Sequence, residues 1–461
     1  MVVVNVIFVE LDEATAERTK SEYGDLVWPS PSDEIPFWKR EFPSWDIISK
    51  GPVDIQKDSD LMHIVHVTAE MAPIAKVGGL GDVVTGLARA CLTRGHKVDV
   101  FLPFYECINK QHIKELALTS TYDSFYDGSW IATNVYRGVV SGIPVVFIEP
   151  SNLFFKGQSV YGGSYNELEA YLFFSRACLE WLQVSGTQPD IIHVHEWQTG
   201  SLPLLYWDMY HYLSLKKPRI VLTIHNMEHY GECSTVSPTY LKETLCSGWL
   251  AGTLIRHRDK YFGILNGIDA AMWNPATDAY LPAKFDANNV EGKKICKLYV
   301  QRGLGLASEG HPRDPDTAPL VVCISRLVAQ KGLHLITNAI RYVEELGGQM
   351  VILGKAPDGR VESEFKGLAE LVPVVRKTGG LADTVFDVDD QSQPELANGF
   401  VFEGIDEGSF NGALGRAFSY YRQKPDEWRS MVKKVMQIDN SWNNTAGKYI
   451  EVYNSVRVRN H

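Results

Sequence analysis

From Met62 onward, short apolar and β-branched runs alternate with longer helix-like stretches, and few folds accept that rhythm. The runs are His63 to Val67, Val98 to Leu102, Val145 to Ile148, Ile191 to Val194 and Ile220 to Ile224, with Tyr171 to Val184 as a clear helical pattern among them. Buried strands separated by helices predict a parallel sheet covered on both faces. A second series begins near Pro319, with a strand over Leu320 to Ile324, a helix over Leu333 to Leu346 and a strand over Met350 to Leu353. Between the two lie Leu265-Asn266-Gly267-Ile268-Asp269 and a Pro-, Asp- and Gly-containing stretch to about residue 318, which reads as a hinge. A chain of 461 residues exceeds what one hydrophobic core usually organises. Two doubly wound α/β halves are therefore expected, facing across a cleft and holding ligands at the C-terminal ends of their strands.

Composition narrows the partners. The formal net charge of -11 argues against nucleic acid or an anionic membrane surface, whereas a neutral polymer is indifferent to that sign. The seven cysteines form no C-x-x-C pair, so neither a zinc ribbon nor a disulfide framework is indicated and a reducing compartment fits. No apolar run approaches the ~18 residues that a spanning helix needs. The opening MVVVNVIFVE lacks a basic leader and runs at once into Glu10, Asp12, Glu13 and Glu17, and no Arg- and Ser-rich transit segment is visible. Residues 1–60 read as an extension with little regular structure, docked by Phe37, Trp38, Phe42 and Trp45.

Several strand ends carry chemistry. Lys76-Val77-Gly78-Gly79-Leu80-Gly81-Asp82 follows the first strand and opens a helical segment. Glycines at such a turn let backbone N–H groups approach an anion where the helix N-terminus adds positive partial charge. Lys76 supplies an ammonium there. In the second half Arg326 and Lys331 follow a strand directly, and a guanidinium with an ammonium suits an anionic leaving group. Asp190 to Thr199, reading DIIHVHEWQT, ends another strand in a polar, aromatic cluster, and Thr223-Ile224-His225-Asn226 ends the next. Arg376 to Val385 contains a second glycine turn, Thr378-Gly379-Gly380.

Taken in this order, AEMAPIAKVGGLGDVVTGLARA, DIIHVHEWQT, SRLVAQKG and RKTGGLADTV resemble the signatures of starch and glycogen synthases, the plant soluble classes IV and V in particular. The resemblance implies a GT-B fold and a retaining transfer of glucose from ADP-glucose to an α-1,4-glucan, without metal or other cofactor. It assigns the diphosphate to Arg326 and Lys331 and the nucleotide phosphates to the turn Thr378, Gly379 and Gly380, with Lys76 as a further phosphate-binding cation. Gly78, Gly79 and Asn226 complete the sugar-nucleotide site, and His195, the only catalytic candidate, reaches the donor glucose. Asp387-Val388-Asp389 looks like a metal-binding D-x-D, yet it falls in a family loop with no metal role and reads as a solvated acidic loop. The implied domains are the extension 1–60, a glucan-facing domain 61–268, a hinge 269–318, a nucleotide-sugar domain 319–435, and a C-terminal helix 436–461 packing back on the first domain. The expected site is the plastid stroma, and the expected partners are α-glucan, ADP-glucose and other granule-initiating proteins.

Two family segments are missing. Tyr230 to Ser234 runs straight into Thr235 to Tyr240, where relatives carry a long excursion along the glucan-facing wall. Glu364 to Ala369 passes within a few residues to Val372 to Arg376, where the family has two βα units of ~30 residues each. Those units hold the EPCGLTQ motif, whose glutamate is positioned against the donor glucose; Glu362, Glu364 and Glu370 cannot take its place. The expectation is a reduced second domain and impaired catalysis, with an active starch synthase as the alternative.

Overall fold

The computed structural model describes residues 5–7, 26–35, 37, 57–164, 166–225, 234–235, 238–246, 255–256, 258–270, 273–307, 318–325, 327–328, 331–354, 375–376 and 379–457. The chain divides into two compact units, Ile48–Ala271 with Asn440–His461, and Met1–Ile47 with Met272–Asp439.

The first unit is built on a seven-stranded sheet. Its strands are β1 (His63–Val67), β2 (Lys97–Pro103), β3 (Lys114–Tyr126), β4 (Ser129–Val140), β5 (Ile143–Pro150), β6 (Ile191–His195) and β7 (Arg219–Thr223), in the order β3-β4-β5-β2-β1-β6-β7. Strands β5, β2, β1, β6 and β7 run parallel, as their apolar runs predict. The β3–β4 hairpin is antiparallel and extends the sheet, so a purely parallel sheet is corrected to a mixed one. Asp127 and Gly128 both adopt positive φ at its tip, the geometry a two-residue hairpin turn demands. Helix α1 (Gly79–Thr93) follows β1, and α2 (Glu167–Val184) lies between β5 and β6, started by the Asn166 side chain accepting from the Glu169 N–H.

The chain passes from β1 outward to β2 and β5, then returns to β6 on the other flank of β1. Strand order thus reverses between β1 and β6, the point where open α/β sheets leave a crevice at their C-terminal ends. The C-terminal helix Trp442–Val456 belongs to this same unit, with Trp442, Tyr449 and Tyr453 buried. Its fit over α1 depends on a missing side chain, because a Cβ on Gly86 would lie 2.0 Å from Trp442 Nε1.

In the second unit, helix α3 (Glu291–Gly303) precedes a strand–helix–strand of β8 (Leu320–Ile324), α4 (Leu333–Glu345) and β9 (Gln349–Leu353), with β8 and β9 parallel. The N-terminal strand Asn5–Ile7 pairs antiparallel with β8, Val6 opposite Val321, making a three-stranded sheet with β8 in the middle. A separate parallel pair, β10 (Val375–Arg376) and β11 (Val401–Phe402), accompanies α5 (Gly379–Thr384), α6 (Glu407–Gln423) and α7 (Pro425–Gln437). Val321, Ile336, Phe410, Leu414 and Phe418 centre this core. Phe37 meets Tyr299 edge-on at 5.5 Å, while Trp38, Phe42 and Trp45 lie outside the described residues. Among the described residues no helix is long and apolar enough to cross a membrane.

Asp387 is not a solvated loop acid. Its carboxylate accepts from Arg416 Nη1 and Nη2 at 2.8 and 2.9 Å and from the Val401 N–H at 2.7 Å. The guanidinium and these N–H donors hold its pKa below the usual carboxylate value against the opposing effect of burial. Asp389 is exposed and shares the same Arg416, so the D-x-D is an ion-paired brace between the loop and α6.

Candidate functional site

The glycine turn sits at the C-terminal end of β1, beside the strand-order reversal. It is organised by an acid that sequence reasoning passed over. The buried Glu70 carboxylate accepts from the Val77 and Gly78 N–H groups, both at 2.9 Å, and from the Tyr161 hydroxyl at 2.7 Å. Two of the turn's donors are therefore spent on fixing the loop. Gly78 caps α1 in an extended conformation, and a Cβ on Gly79 would meet nothing within 4 Å, leaving the helix start open to a ligand. Lys76 Nζ lies 2.8 Å from Asp82 on the first turn of α1, with both side chains partly exposed. Such a pair holds the ammonium near the helix start while contributing little to stability.

Across the reversal, β6 delivers His193 and His195 to one face of the sheet, two residues apart. His195 is fully buried, and both of its ring nitrogens face other imidazoles: Nε2 is 3.0 Å from His66 Nδ1 and Nδ1 is 3.2 Å from His225 Nε2. His193 Nδ1 lies 2.7 Å from the Tyr453 hydroxyl and its Nε2 2.7 Å from Thr223 Oγ1, tying the C-terminal helix to the sheet. Ring nitrogens of His66, His193 and His195 fall within 4.8 Å of one another, a spacing that fits a metal, but those of His193 are taken up by hydroxyls. Burial pushes the pKa of His66 and of His225 down to about 3 and those of His193 and His195 well below the ordinary value. The cluster is neutral at physiological pH.

Glu196 locks the strand ends around this cluster. It adopts φ 67°, uncommon for a non-glycine residue, and its N–H donates to the Thr223 carbonyl at 2.9 Å. Its carboxylate accepts from the His225 and Trp197 N–H groups, and Thr199 Oγ1 accepts from the His195 N–H at 2.9 Å. Such strain is held where the surroundings over-determine it, at sites that must be preorganised.

Of the remaining predicted residues, Asn226, Arg326 and Thr378 lie outside the described residues. In the second unit Lys331 stands immediately before Gly332, which caps α4 in the left-handed region, and Gly379 and Gly380 open α5. Glu362, Glu364 and Glu370 are likewise outside the described residues. Glu70 and His66 were the residues missed, and His225 was noted only as part of the strand end Thr223 to Asn226. Period-two spacing on a strand, with His66 on β1 in register with His193 on β6, was the signal that could have found the imidazoles.

A doubly wound lobe with an open glycine turn and a preorganised polar cluster at its strand-order reversal is the layout of a GT-B glycosyltransferase. Residues 63–243 match the family described as the starch synthase catalytic domain. The chain is 34% identical to glycogen synthase of Protochlamydia amoebophila (strain UWE25), over 87% of this chain and 100% of that protein. It is 38% identical to probable starch synthase 4, chloroplastic/amyloplastic, of Arabidopsis thaliana, over 85% of this chain and 47% of that one, so it spans about half that relative's length. The solved catalytic domain of starch synthase IV from Arabidopsis thaliana, bound to ADP and acarbose, matches with a TM-score of 0.79 at 36% identity, covering 86% of this chain and 99% of that chain. The chain belongs to the starch and glycogen synthase family. The bacterial alignment runs over 507 positions while taking in 87% of 461 residues, about 400, so roughly a hundred positions have no counterpart here.

Proposed function

We propose that this protein is a plastidial, starch-synthase-like glucan-binding protein that retains ADP-glucose as a ligand but is impaired in glucosyl transfer. Its partners are α-glucan and other proteins that initiate starch granules. One observation carries this reading: residues 354–374 are all that separates β9 from β10, where the family resemblance calls for two βα units and the EPCGLTQ glutamate. Losing a preorganised carboxylate and its neighbouring donors removes roughly 3 to 4 kcal/mol of transition-state stabilisation per contact, orders of magnitude in rate. The ligand-holding parts of the first unit are not so affected, since Lys76, Gly78, Gly79 and the imidazole cluster are all in place. The Arabidopsis relative is named chloroplastic/amyloplastic, which supports the plastid.

The test combines turnover with binding. Purified protein given ADP-glucose labelled in its glucose should add no label to amylopectin above the background of a Lys76→Ala variant, yet should pellet with amylopectin, and a Lys331→Ala variant should pellet equally. Incorporation that Lys76→Ala abolishes would establish instead an active ADP-glucose α-1,4-glucosyltransferase. Failure to pellet at all would remove glucan from the list of partners.

A further inference from the structure

The three-stranded sheet of the second unit takes one strand from far away in the sequence. Asn5–Ile7 lies antiparallel on the edge of β8 that faces away from β9, with Asn5 opposite Val322, Val6 opposite Val321 and Ile7 opposite Leu320. Further along, the same N-terminal segment is anchored a second time, on α3. The Arg302 guanidinium lies over the Trp28 ring at 4.2 Å, and Phe37 meets Tyr299 edge-on. A Cβ on Gly303 would fall 2.4 Å from Phe37 and 3.1 Å from Pro29, so the rings sit directly on the helix end. The segment is thus a strap on α3 preceded by a strand-forming arm.

The two anchors differ in strength. The strap combines aromatic burial, ring–ring contact and a cation–π contact. A ladder of three residues has little stability of its own and belongs to the low end of local opening free energies. The arm therefore leaves β8 more often than the strap leaves α3. Nothing in the winding fixes which copy of the arm returns, because β8 and β9 are joined through α4 whereas the arm arrives from outside that unit. An identical arm from a second copy offers the same three residues, so exchange conserves every ladder contact, the condition that makes swapping of an element inexpensive. Eighteen residues separate Ile7 from Leu26. Their contour of at most about 60 Å is several times the radius of gyration of about 16 Å expected for a domain of about 200 residues, so a neighbouring β8 is within reach.

We propose that β8 carries an arm-exchange interface, on which a second copy of this chain lays its Asn5–Ile7 strand in the same register, so that two copies complete each other's sheets. The exchange reaches the ligand-bearing lobe, because β8 runs directly into the sequence of Arg326 and Lys331 and the strand that leads to these cations is braced by the neighbour. It stands whether or not ADP-glucose is held there. Tethering sets the balance. An arm on a short flexible linker meets its own partner strand at an effective concentration on the order of 1 mM. The self-paired monomer dominates in dilute solution, and exchange grows as copies are crowded together.

The experiment is disulfide trapping in the full chain. Cys107 and Cys246, which are exposed, and Cys233, which lies outside the described residues, are first replaced by Ser. Facing residues of an antiparallel pair lie about 4.5–5.5 Å apart at Cα, within disulfide range. A chain carrying both Asn5→Cys and Val322→Cys should close on itself at about 10 µM, which also shows that the substituted chain folds. A copy with Asn5→Cys alone, mixed with a differently tagged copy with Val322→Cys alone, should give a linked pair whose yield rises at least about tenfold between about 10 µM and about 1 mM. Asn5→Cys mixed with Val351→Cys is the control. Val351 faces Val322 from β9, roughly 9.5 Å from the arm and beyond disulfide reach, and its yield should be at least about tenfold lower. A mixture that stays unlinked at about 1 mM while the double variant closes overturns exchange and leaves the arm on its own chain. Equal linking with Val351→Cys is random encounter and overturns it too. A double variant that fails to close removes the ladder on which the interface stands.

Discussion

Acid should open the first unit well before it affects the carboxylate pairs, and the buried imidazoles fix by how much. His66, His193 and His195 are fully buried and His225 is partly buried; desolvation lowers the pKa of all four, that of His66 and of His225 to about 3. In the unfolded chain the same rings titrate near 6.5. A folded-state pKa below the unfolded one means stability that is complete above pH 6.5 and lost as pH falls toward the folded value. Between pH 7 and pH 5 the unfolded state gains about 0.7 proton per ring, about 2 kcal/mol each. The figure needs only that the folded values lie well under 5. The two rings with folded values near 3, His66 and His225, give about 4 kcal/mol, a large part of the stability of an ordinary domain. Asp58 and Asp99, whose pKa values are lowered, lose their stabilisation only at more acid pH, so this window isolates the histidines. Amide hydrogen exchange of β1 and β6, corrected for the intrinsic pH dependence, reads the opening free energy of this unit alone. It should fall by at least about 4 kcal/mol from pH 7 to pH 5, and by about 2 kcal/mol less in His66→Asn. A fall under about 2 kcal/mol, or no difference in the variant, would show that the rings are solvated or already charged, and the reasoning fails.

Other substitutions probe separate links. Gly86→Ala drives a methyl into the Trp442 indole and should cost about 1–3 kcal/mol by overpacking, read as a lower melting temperature and faster proteolysis of the C-terminal helix. Glu70→Gln turns one acceptor oxygen toward donors into an amide, so the glycine turn should loosen and ADP-glucose affinity fall about tenfold with little change in melting temperature. Val6→Pro removes a donor from the strand paired to β8 and should lower exchange protection over Leu320–Ile324, leaving β1 and β6 unchanged.

The parallel core was legible because strands buried on both faces carry continuous apolar runs, and His63–Val67 and Leu320–Ile324 fall where those runs lie. The β3–β4 hairpin was missed for the complementary reason. Its residues mix exposed, half-buried and buried positions, Tyr122 and Val135 among the buried, and carry no long apolar run, although Asp127-Gly128 marked the turn. In the site, the glycine turn was readable because its local sequence implies its geometry. Glu70 was not, since its role depends on Val77, Gly78 and Tyr161, and the last of these is brought close only by the fold. His66 was hidden likewise. Nothing local distinguishes it from a core histidine until β1 and β6 are in register.

In the second unit the sheet around β8 is completed by a strand from the N-terminal segment. A doubly wound lobe places its first strand in the interior, with strands on one side from the next unit and on the other from later units. Here β9 supplies the first side, but residues 354–374 are too few for two βα units, and β10 and β11 stand apart as their own pair. The second side of β8 is covered from the other end of the chain, by Asn5–Ile7. Its direction is telling. A strand delivered by a right-handed βαβ crossover would be parallel to β8, whereas this one is antiparallel, as a segment arriving from outside the winding can be. An edge of unpaired N–H and C=O groups invites pairing with another chain, and a three-residue ladder answers that hazard with little stability of its own. The N-terminal strand therefore gives the second edge of β8 an intramolecular partner in competition with any external strand.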